Sequence, residues 1–206
     1  KKILYPCSCS KKEIISRCNV GLEGRRYDGH CFPISKNKKK IRSYRVFLRN
    51  QNLTLNDNLQ GKITCNIKEI SGDFPVLVKD LNYTYQLASV VDDQNYKINN
   101  IIRGTDLIYS SIKQIYLQDL LDFKKKKYLH LPILCYENKK KISKQNKATS
   151  IDYINPKQDI LRCLILLGFK LNKEVCNKDS RHILEWAKEN WNRKNLPKGE
   201  KIILLD

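Results

Sequence analysis

Half of the cysteines in this chain are crowded into its first 31 residues, and this crowding constrains the fold more than any other feature. Disulfide frameworks are typical of secreted chains with little core, whereas this chain has 206 residues, is 41% hydrophobic and shows no signal-peptide pattern at its start. We therefore expect a reduced, cytoplasmic protein in which one metal site pins a loop-rich N-terminal segment. The crowded cysteines are Cys7, Cys9, Cys18 and Cys31, and the scattered ones, interpreted as buried thiols, are Cys65, Cys135, Cys163 and Cys176.

The charge of the chain indicates the chemistry of its partner. There are 40 Lys and Arg against 21 Asp and Glu, which gives a net charge of +19. Such a surplus favours a polyanion, because basic groups that neutralise phosphates release condensed counterions. The alternative is a compositional drift that placed lysine wherever the surface tolerated it. No apolar stretch reaches the roughly 18 residues of a membrane span, so we expect no membrane partner.

Hydrophobic periodicity predicts an α/β fold. Apolar and polar residues alternate over Arg42–Arg49, as in a half-buried strand, and apolar residues recur at helical spacing over Ser110–Leu121. The order strand, helix, strand in the middle of the chain predicts half of a doubly wound parallel sheet. Further predicted strands are Lys62–Ile70, Pro75–Lys79, Ile98–Arg103 and Tyr128–Cys135, and further predicted helices are Lys11–Arg17, Tyr83–Val91, Lys157–Phe169 and Ser180–Trp191, the last with Ser180 as N-cap.

Four short blocks carry a resemblance to a known family. The first three resemble the second half of the catalytic fold in class I synthetases of the glutamyl and glutaminyl type, and the fourth resembles the mobile KMSKS loop of that class. One such loop would be a weak match in a lysine-rich chain, but its place after the other blocks makes the resemblance specific. The blocks are Tyr83-Thr-Tyr-Gln-Leu-Ala-Ser-Val-Val-Asp-Asp93, Ile101-Ile-Arg-Gly-Thr-Asp-Leu107, Ser110-Ser-Ile-Lys-Gln114 and Lys140-Lys-Ile-Ser-Lys-Gln-Asn146.

Within that class, three details resemble the glutamyl-Q tRNA(Asp) synthetases. The loop ends in Lys144-Gln145-Asn146, Trp186-Ala-Lys-Glu-Asn-Trp191 resembles their C-terminal helix, and the chain stops at Asp206 without an anticodon-binding domain. The resemblance implies the C-terminal part of a Rossmann-type class I catalytic domain with a zinc-binding insertion and a short helical tail. It assigns residues 1–65 to the insertion and connecting strands, 66–155 to the second half of the catalytic fold, and 156–206 to a helical segment.

The resemblance also implies roles for individual residues. Tyr85 and Arg103 match the family's second pair of glutamate contacts, and a guanidinium offers a planar fork to a carboxylate. The alternatives are a core aromatic for Tyr85 and an ion pair of Arg103 with Asp106 or the Asp92–Asp93 carboxylates. Lys144 matches the catalytic lysine that contacts ATP, which would enter with magnesium. The KMSKS-like motif comprises Lys141, Ile142, Ser143, Lys144 and Gln145.

The crowded cysteines resemble the zinc site of the glutamyl-Q enzymes. The resemblance implies that this chain binds one zinc through Cys7, Cys9, Tyr27 and Cys31. Three thiolates and a phenolate can complete a tetrahedral site. The segment between Cys9 and Tyr27 is longer than is usual in the family and contains Cys18, which could displace Tyr27. His30, next to Cys31, is a second competitor, and reduced surface thiols without a metal are the remaining alternative.

The function implied is activation of glutamate by ATP and transfer of glutamate to the queuosine base of tRNA(Asp). The first strand, the HIGH-type ATP motif and the other glutamate contacts of the family have no counterpart here, so we expect an incomplete fragment that forms no glutamyl-adenylate alone. One alternative is a truncated catalytic half of a glutamyl-tRNA synthetase, and another is a non-catalytic zinc and RNA-binding module. We expect a monomer.

Overall fold

The computed structural model describes residues 3–33, 40–79, 82–143, 150–151 and 153–203. The chain divides into two compact units: the described residues of Lys1–Arg103 with Leu107–Leu129, and those of Gly104–Asp106 with His130–Asp206. The three-part division made from the sequence stays a prediction. No helix in these ranges has the length and apolar character needed to cross a bilayer.

In its described residues the first unit contains two four-stranded sheets and four α-helices. Its strands are β1 (Leu4–Cys7), β2 (Ser43–Val46), β3 (Asn52–Asp57), β4 (Gly61–Asn66), β5 (Pro75–Val78), β6 (Asn82–Tyr83), β7 (Asn100–Gly104) and β8 (Lys127–Leu131), of which β7 and β8 run across the unit boundary. Its helices are α1 (Lys11–Arg17), α2 (Ile67–Ser71), α3 (Tyr85–Asn95) and α4 (Ile108–Leu120).

The first sheet is antiparallel throughout, in the order β1-β2-β5-β6. Leu4 pairs with Val46 and Cys7 pairs with Ser43, so β1 runs along β2. Strand β1 buries Tyr5 and Cys7 and exposes Leu4. This period-2 pattern places the Cys7 side chain in the interior at the end of a strand, in a segment that was predicted to be loop.

The second sheet has the order β4-β3-β8-β7 and is mixed. Strands β3 and β4 form a hairpin, and β3 meets β8 in parallel at Asp57 and Tyr128. Helix α4 packs against α3 and β3. The core around it includes Leu55, Ile112 and Tyr128, so the middle of the chain is built around α4.

The second unit contains a two-stranded parallel sheet and three α-helices. Its elements are β9 (Ile133–Cys135), α5 (Lys157–Leu166), α6 (Lys173–Asn177), α7 (Ser180–Glu189) and β10 (Lys201–Ile203). Helices α5 and α7 pack around Leu164 and Ile183. The ring centroid of Phe169 lies 5.9 Å from that of Trp186 in α7 and 5.8 Å from that of Trp191 just after α7. Phe169 therefore packs against the C-terminal part of α7 and the segment that follows it.

The α/β class is confirmed, but two predicted strands are wrong in extent. The predicted strand Lys62–Ile70 ends at Asn66, because the Asn66 side chain accepts a hydrogen bond from the backbone N–H of Lys68 and so caps α2. The predicted strand Tyr128–Cys135 is divided by Pro132, which has no N–H to donate to a ladder.

Helix ends and sheet type also differ from prediction. The N-cap of α7 is Asp179, whose side chain accepts from the backbone N–H of His182, so the assignment to Ser180 is wrong by one residue. Helix α5 ends at Leu166, three residues before the predicted end, and Gly168 follows with φ +88°. The strand, helix, strand order predicted for the middle of the chain is present as β7, α4 and β8, and β8 lies between β7 and β3. The sheet as a whole is mixed, because β3 pairs with β8 in parallel and with β4 in antiparallel.

Candidate functional site

Three buried thiols meet at the end of β1. The Sγ atoms of Cys7, Cys9 and Cys31 all lie within 4.8 Å of one another, and those of Cys9 and Cys31 are 3.6 Å apart. The hydroxyl of Tyr27 lies 3.3 Å from Sγ of Cys7 and 3.6 Å from Sγ of Cys9. All four side chains are at most 9% exposed, so the donors face one another away from water.

Two glycines bring Tyr27 and Cys31 to this cluster. Gly72 pairs with Tyr27 in an isolated β-bridge at φ +62°, and a Cβ there would lie 2.1 Å from the carbonyl oxygen of Tyr27. Gly29 adopts φ +78° in the turn between Tyr27 and Cys31. That turn lets the backbone N–H of Cys31 donate to the Tyr27 hydroxyl at 3.2 Å. Backbone conformation therefore sets the donor positions.

The donor set fits a tetrahedral zinc ion. Thiolates about 2.3 Å from one zinc lie about 3.8 Å apart at tetrahedral angles, and a thiolate and an oxygen ligand about 3.5 Å apart. The sulfur–sulfur distance of 3.6 Å and the sulfur–oxygen distances of 3.3 and 3.6 Å lie close to these values. Cys7, Cys9, Cys31 and Tyr27 would hold the ion.

The two competing ligands lie outside the cluster. Among the described residues, the one group of Cys, His, Asp and Glu side chains close enough to share a metal is Cys7, Cys9 and Cys31. Cys18 is buried, and its carbonyl accepts a hydrogen bond from Arg25 at 3.1 Å, but its thiol does not join the group. His30 is exposed on the turn. The geometry favours Tyr27 as the fourth donor.

Two arginines place positive charge beside the cluster. The guanidinium of Arg45 lies 3.9 Å from the centroid of the Tyr27 ring and donates to the carbonyl of Asp73 at 2.7 Å. Arg17 donates to Sγ of Cys9 at 3.5 Å. Three thiolates and a phenolate around a divalent ion leave two negative charges in excess, which these cations oppose.

The protein environment acts unequally on the donors. Burial disfavours the Cys7 thiolate, but hydrogen bonds from Tyr27 and Arg45 and the charge of Arg45 outweigh it and lower the pKa of Cys7 to about 7. Burial has the largest effect on the pKa of Cys9 and raises it, although the hydrogen bond from Arg17 acts in the opposite direction. Burial, with the adjacent thiols, also raises the pKa of Tyr27. A metal would therefore meet Cys7 as the donor that loses its proton most readily.

A second group of polar residues surrounds Arg103. Arg103 lies in β7 with its side chain 12% exposed, and its guanidinium is 5.9 Å from the centroid of the Tyr85 ring. It donates to Oε1 of Gln114 at 2.6 Å and to Oγ of Ser111 at 3.3 Å, while Asp93 lies 3.9 Å away. Tyr85 begins α3 and is 50% exposed, so it is not a core aromatic.

A continuous hydrogen-bonded chain links Arg103 to the metal-binding segment. From Arg103 it passes to Gln114, whose amide donates to Gln86 at 3.2 Å. Gln86 donates to Ser110 at 2.9 Å, and Ser110 donates to the carboxylate of Glu23 at 3.0 Å. These links were not predicted from the sequence. We refer to the five residues as the polar chain.

A lysine on α4 fixes the far end of the polar chain. The side chain of Lys113 is 8% exposed, and its Nζ lies 2.5 Å from Glu23 Oε2. Ser110, Ser111 and Gln114 are each at most 2% exposed although they are polar. The signal for them was present in the sequence, since Gln114 is four positions from Ser110 and three from Ser111 and therefore shares a helix face with each. That face is polar where a core face would be apolar.

The KMSKS-like motif is described only in its first part. Nζ of Lys141 lies 2.5 Å from Oδ2 of Asp106, and the backbone N–H of Ile142 donates to the carbonyl of Leu134. Asp106 thus pairs with Lys141, and of the alternative ion pairs considered for Arg103 the one present is with Asp93, at 3.9 Å. Lys144 and Gln145 lie outside the described residues, and Ser143 is half-buried.

Comparisons with known proteins agree with this architecture. Residues 4–197 match the sequence profile of the family "tRNA synthetases class I (E and Q), catalytic domain". The chain is 34% identical over 199 residues to a "Glutamyl-Q tRNA(Asp) synthetase" of Vibrio vulnificus (strain YJ016), covering 96% of this chain and 62% of that protein. It is 32% identical over 201 residues to a protein of the same name from Neisseria meningitidis serogroup B, covering 95% and 67%.

A solved structure gives the same fold. A glutamate tRNA ligase from Elizabethkingia meningosepticum, crystallised with its amino acid, superimposes with a TM-score of 0.67 at 16% identity, over 98% of this chain and 47% of that one. The likeness at this identity concerns the fold. The chain spans about 62% of the length of the first Vibrio relative.

Proposed function

Because the chain belongs to the class I tRNA synthetases for glutamate and glutamine, matching their catalytic domain, we propose that it acts in ATP-dependent transfer of glutamate to the queuosine base of tRNA(Asp). The name shared by the sequence relatives supports this acceptor. The observation that carries the proposal is the placement of Arg103, a mostly buried cation held by neutral hydrogen-bond acceptors beside the half-exposed Tyr85.

Arg103 and Tyr85 would bind a carboxylate-bearing amino acid. Gln114 and Ser111 take up donors of the guanidinium without neutralising its charge, and Asp93 at 3.9 Å offsets it only in part. The remaining charge is therefore available to a substrate carboxylate, which an arginine binds through two parallel hydrogen bonds. The hydroxyl of Tyr85 supplies a directional contact for a second polar group of the amino acid.

Activation follows from this placement. A carboxylate oxygen of glutamate attacks the α-phosphorus of magnesium-bound ATP and pyrophosphate leaves, which yields glutamyl-adenylate. A hydroxyl of queuosine then attacks the activated carbonyl and AMP leaves. Lys144 neutralises charge on the departing pyrophosphate, as a positioned cation does in a phosphoryl-type transition state. The zinc, when bound, supplies a fixed tetrahedral centre that holds the N-terminal segment.

The test measures radiolabelled glutamate transferred to tRNA by this chain joined to the first-strand and HIGH-type segment of a relative, which we call the completed chain. The chain alone is expected to transfer none. The assay supplies ATP and magnesium and compares tRNA(Asp) that contains queuosine with the same tRNA lacking it. We expect label on the queuosine-containing tRNA alone, and retention of that label after removal of the 3′-terminal adenosine. Label on the 3′ end of queuosine-free tRNA would instead identify a glutamyl-tRNA synthetase. Zinc and RNA binding without glutamate-dependent pyrophosphate exchange would indicate a non-catalytic module.

A further inference from the structure

An open cavity lies beside the thiol cluster, on the side of α1 and β5. Its volume is about 500 Å³, within the range of roughly 300–1,000 Å³ that is usual for ligand sites. All of its lining residues belong to the first unit. The cavity is separate from Arg103 and Tyr85, which do not line it, and the proposed glutamate chemistry leaves it unused.

The rim of the cavity is basic. Lys11, Arg25, Arg42 and Lys79 line it and are exposed, and no described residue of the lining carries a carboxylate. Four cations from separate parts of the chain therefore converge on one opening. An anion that enters is attracted by several charges at once, and concave walls strengthen such a field.

A buried cation also lines the cavity. Arg45 is 8% exposed, and its guanidinium donates to the carbonyl of Asp73 and covers the Tyr27 ring. These contacts fix its position but do not neutralise its charge. The charge of Arg45 therefore adds to the attraction that the four exposed cations exert on an anion.

The floor of the cavity is apolar. Ile14, Ile15, Pro75 and Val78 contribute to it. Val78 is 38% exposed and Ile15 is 45% exposed, so these side chains offer apolar surface to an occupant. An occupant with both an anionic group and a flat apolar body satisfies rim and floor together. A nucleotide has this composition, and a base of a paired duplex is not free to enter.

We infer that this cavity receives one unpaired nucleotide of an RNA, with its phosphate at the basic rim and its base on the apolar floor. The inference rests on the proposed function only for the choice of RNA as partner. Recognition of RNA through bases that are splayed out of a helix is common, and arginine planes can stack on such bases. A phosphorylated peptide would use the rim but would leave the floor uncovered.

The experiment measures binding of a fluorescent single-stranded RNA hexamer to the full zinc-loaded chain by fluorescence polarisation. The rim variant combines Arg42→Gln with Lys79→Gln, and the floor variant is Val78→Glu. The control combines Lys62→Gln with Lys188→Gln, two exposed lysines that do not line the cavity. Zinc content and thermal unfolding verify the fold of each variant, and a 12-base-pair RNA duplex, AMP and a phosphoserine peptide serve as competitors.

We expect both cavity variants to weaken hexamer binding by about 10-fold or more, and the rim variant to reduce the slope of log K against log salt by about one. The control should change affinity by no more than about two-fold. An equal loss in the control, or tighter binding of the duplex, would overturn the inference in favour of diffuse attraction. AMP binding as tightly as the hexamer, or preferential binding of the phosphopeptide, would assign the cavity to a different ligand.

These outcomes are separable from the proposed function. Hexamer binding requires neither glutamate nor queuosine. A completed chain that binds RNA through the cavity but transfers no glutamate refutes the proposed function alone, and a completed chain that transfers glutamate with unchanged RNA affinity in both cavity variants refutes the inference alone.

Discussion

The identity of the fourth zinc donor can be decided by replacing Tyr27 and Cys18 separately. Tyr27→Phe removes one oxygen and keeps the ring, so the contact with Arg45 at 3.9 Å is retained. The loss is limited to the donor oxygen and to the hydrogen bond that it accepts from the backbone N–H of Cys31. Structural zinc is bound with about 10–16 kcal/mol shared among four ligands, which is about 2.5–4 kcal/mol for each. A water molecule can take the vacated position, so we expect a net loss of about 2 kcal/mol, or about 30-fold in zinc affinity.

Cys18→Ser is the matched control. Its thiol is buried but does not join the three clustered thiols, so we expect zinc affinity to stay within about three-fold of the unaltered chain. Cys7→Ser, by contrast, removes the donor whose pKa the environment lowers to about 7, and should release the metal. Affinity is measured by competition with a chromogenic chelator, and the absorption of the cobalt-substituted protein reports the number of thiolates. Release of zinc by Cys18→Ser with retention by Tyr27→Phe would refute the assignment and indicate a four-cysteine site.

Four further outcomes are expected, of which those that concern glutamate activation are measured on the completed chain. Arg103→Lys should raise the KM for glutamate by about 10-fold, because an ammonium lacks the planar fork, whereas the exposed Arg181→Lys should not change it; equal values would remove Arg103 from the substrate site. Gly72→Ala should lower the free energy of unfolding by about 2–3 kcal/mol, since its Cβ would lie 2.1 Å from a backbone oxygen, whereas Gly61→Ala, at φ +86° with open space around it, should cost about 1 kcal/mol in thermal unfolding. Lys144→Ala should slow glutamate-dependent pyrophosphate exchange by about 10²-fold with an unchanged KM for glutamate, and Lys147→Ala should not. The pKa of Asp179 is lowered by the hydrogen bond from the His182 backbone and then by the His182 side chain. The contribution of Asp179 to stability is therefore present above the unfolded pKa near 3.8 and is lost as pH falls through the lower folded value. Asp179→Asn should make the helicity of α7 less sensitive to acid, and equal acid transitions by circular dichroism would contradict this.

The family resemblance made part of the site predictable. It pointed to Cys7, Cys9, Tyr27 and Cys31, which stand on either side of α1, and the structure brings their side chains together. The polar chain was missed because its members are far apart in sequence. Nothing in the sequence near Glu23 indicates that Ser110 will donate a hydrogen bond to it. Only the folded core brings Oγ of Ser110 to 3.0 Å from Oε1 of Glu23.

The strands that were missed or misplaced differ from prediction for local reasons, not because of contacts between distant residues. Strand β1 was hidden because Tyr5 and Cys7 alternate over only 4 residues, which is too short for periodicity to identify. The strand predicted over Tyr128–Cys135 was judged by its apolar character, but Pro132 removes a donor in its middle. Single residues with special backbone chemistry thus override the average hydrophobicity of a segment.

The polar chain has a consequence for the order in which the protein matures. Ser110 and Glu23 are 87 residues apart, so the bond between them forms only when distant parts of the polypeptide have met. The hydrogen bonds that hold Gln114 against Arg103 are completed through that bond, at the opposite end of a series of neutral amides and a hydroxyl. A molecule whose N-terminal segment has not yet packed against α4 therefore lacks the last of these bonds, and the fully bonded surroundings of Arg103 are a property of the finished molecule.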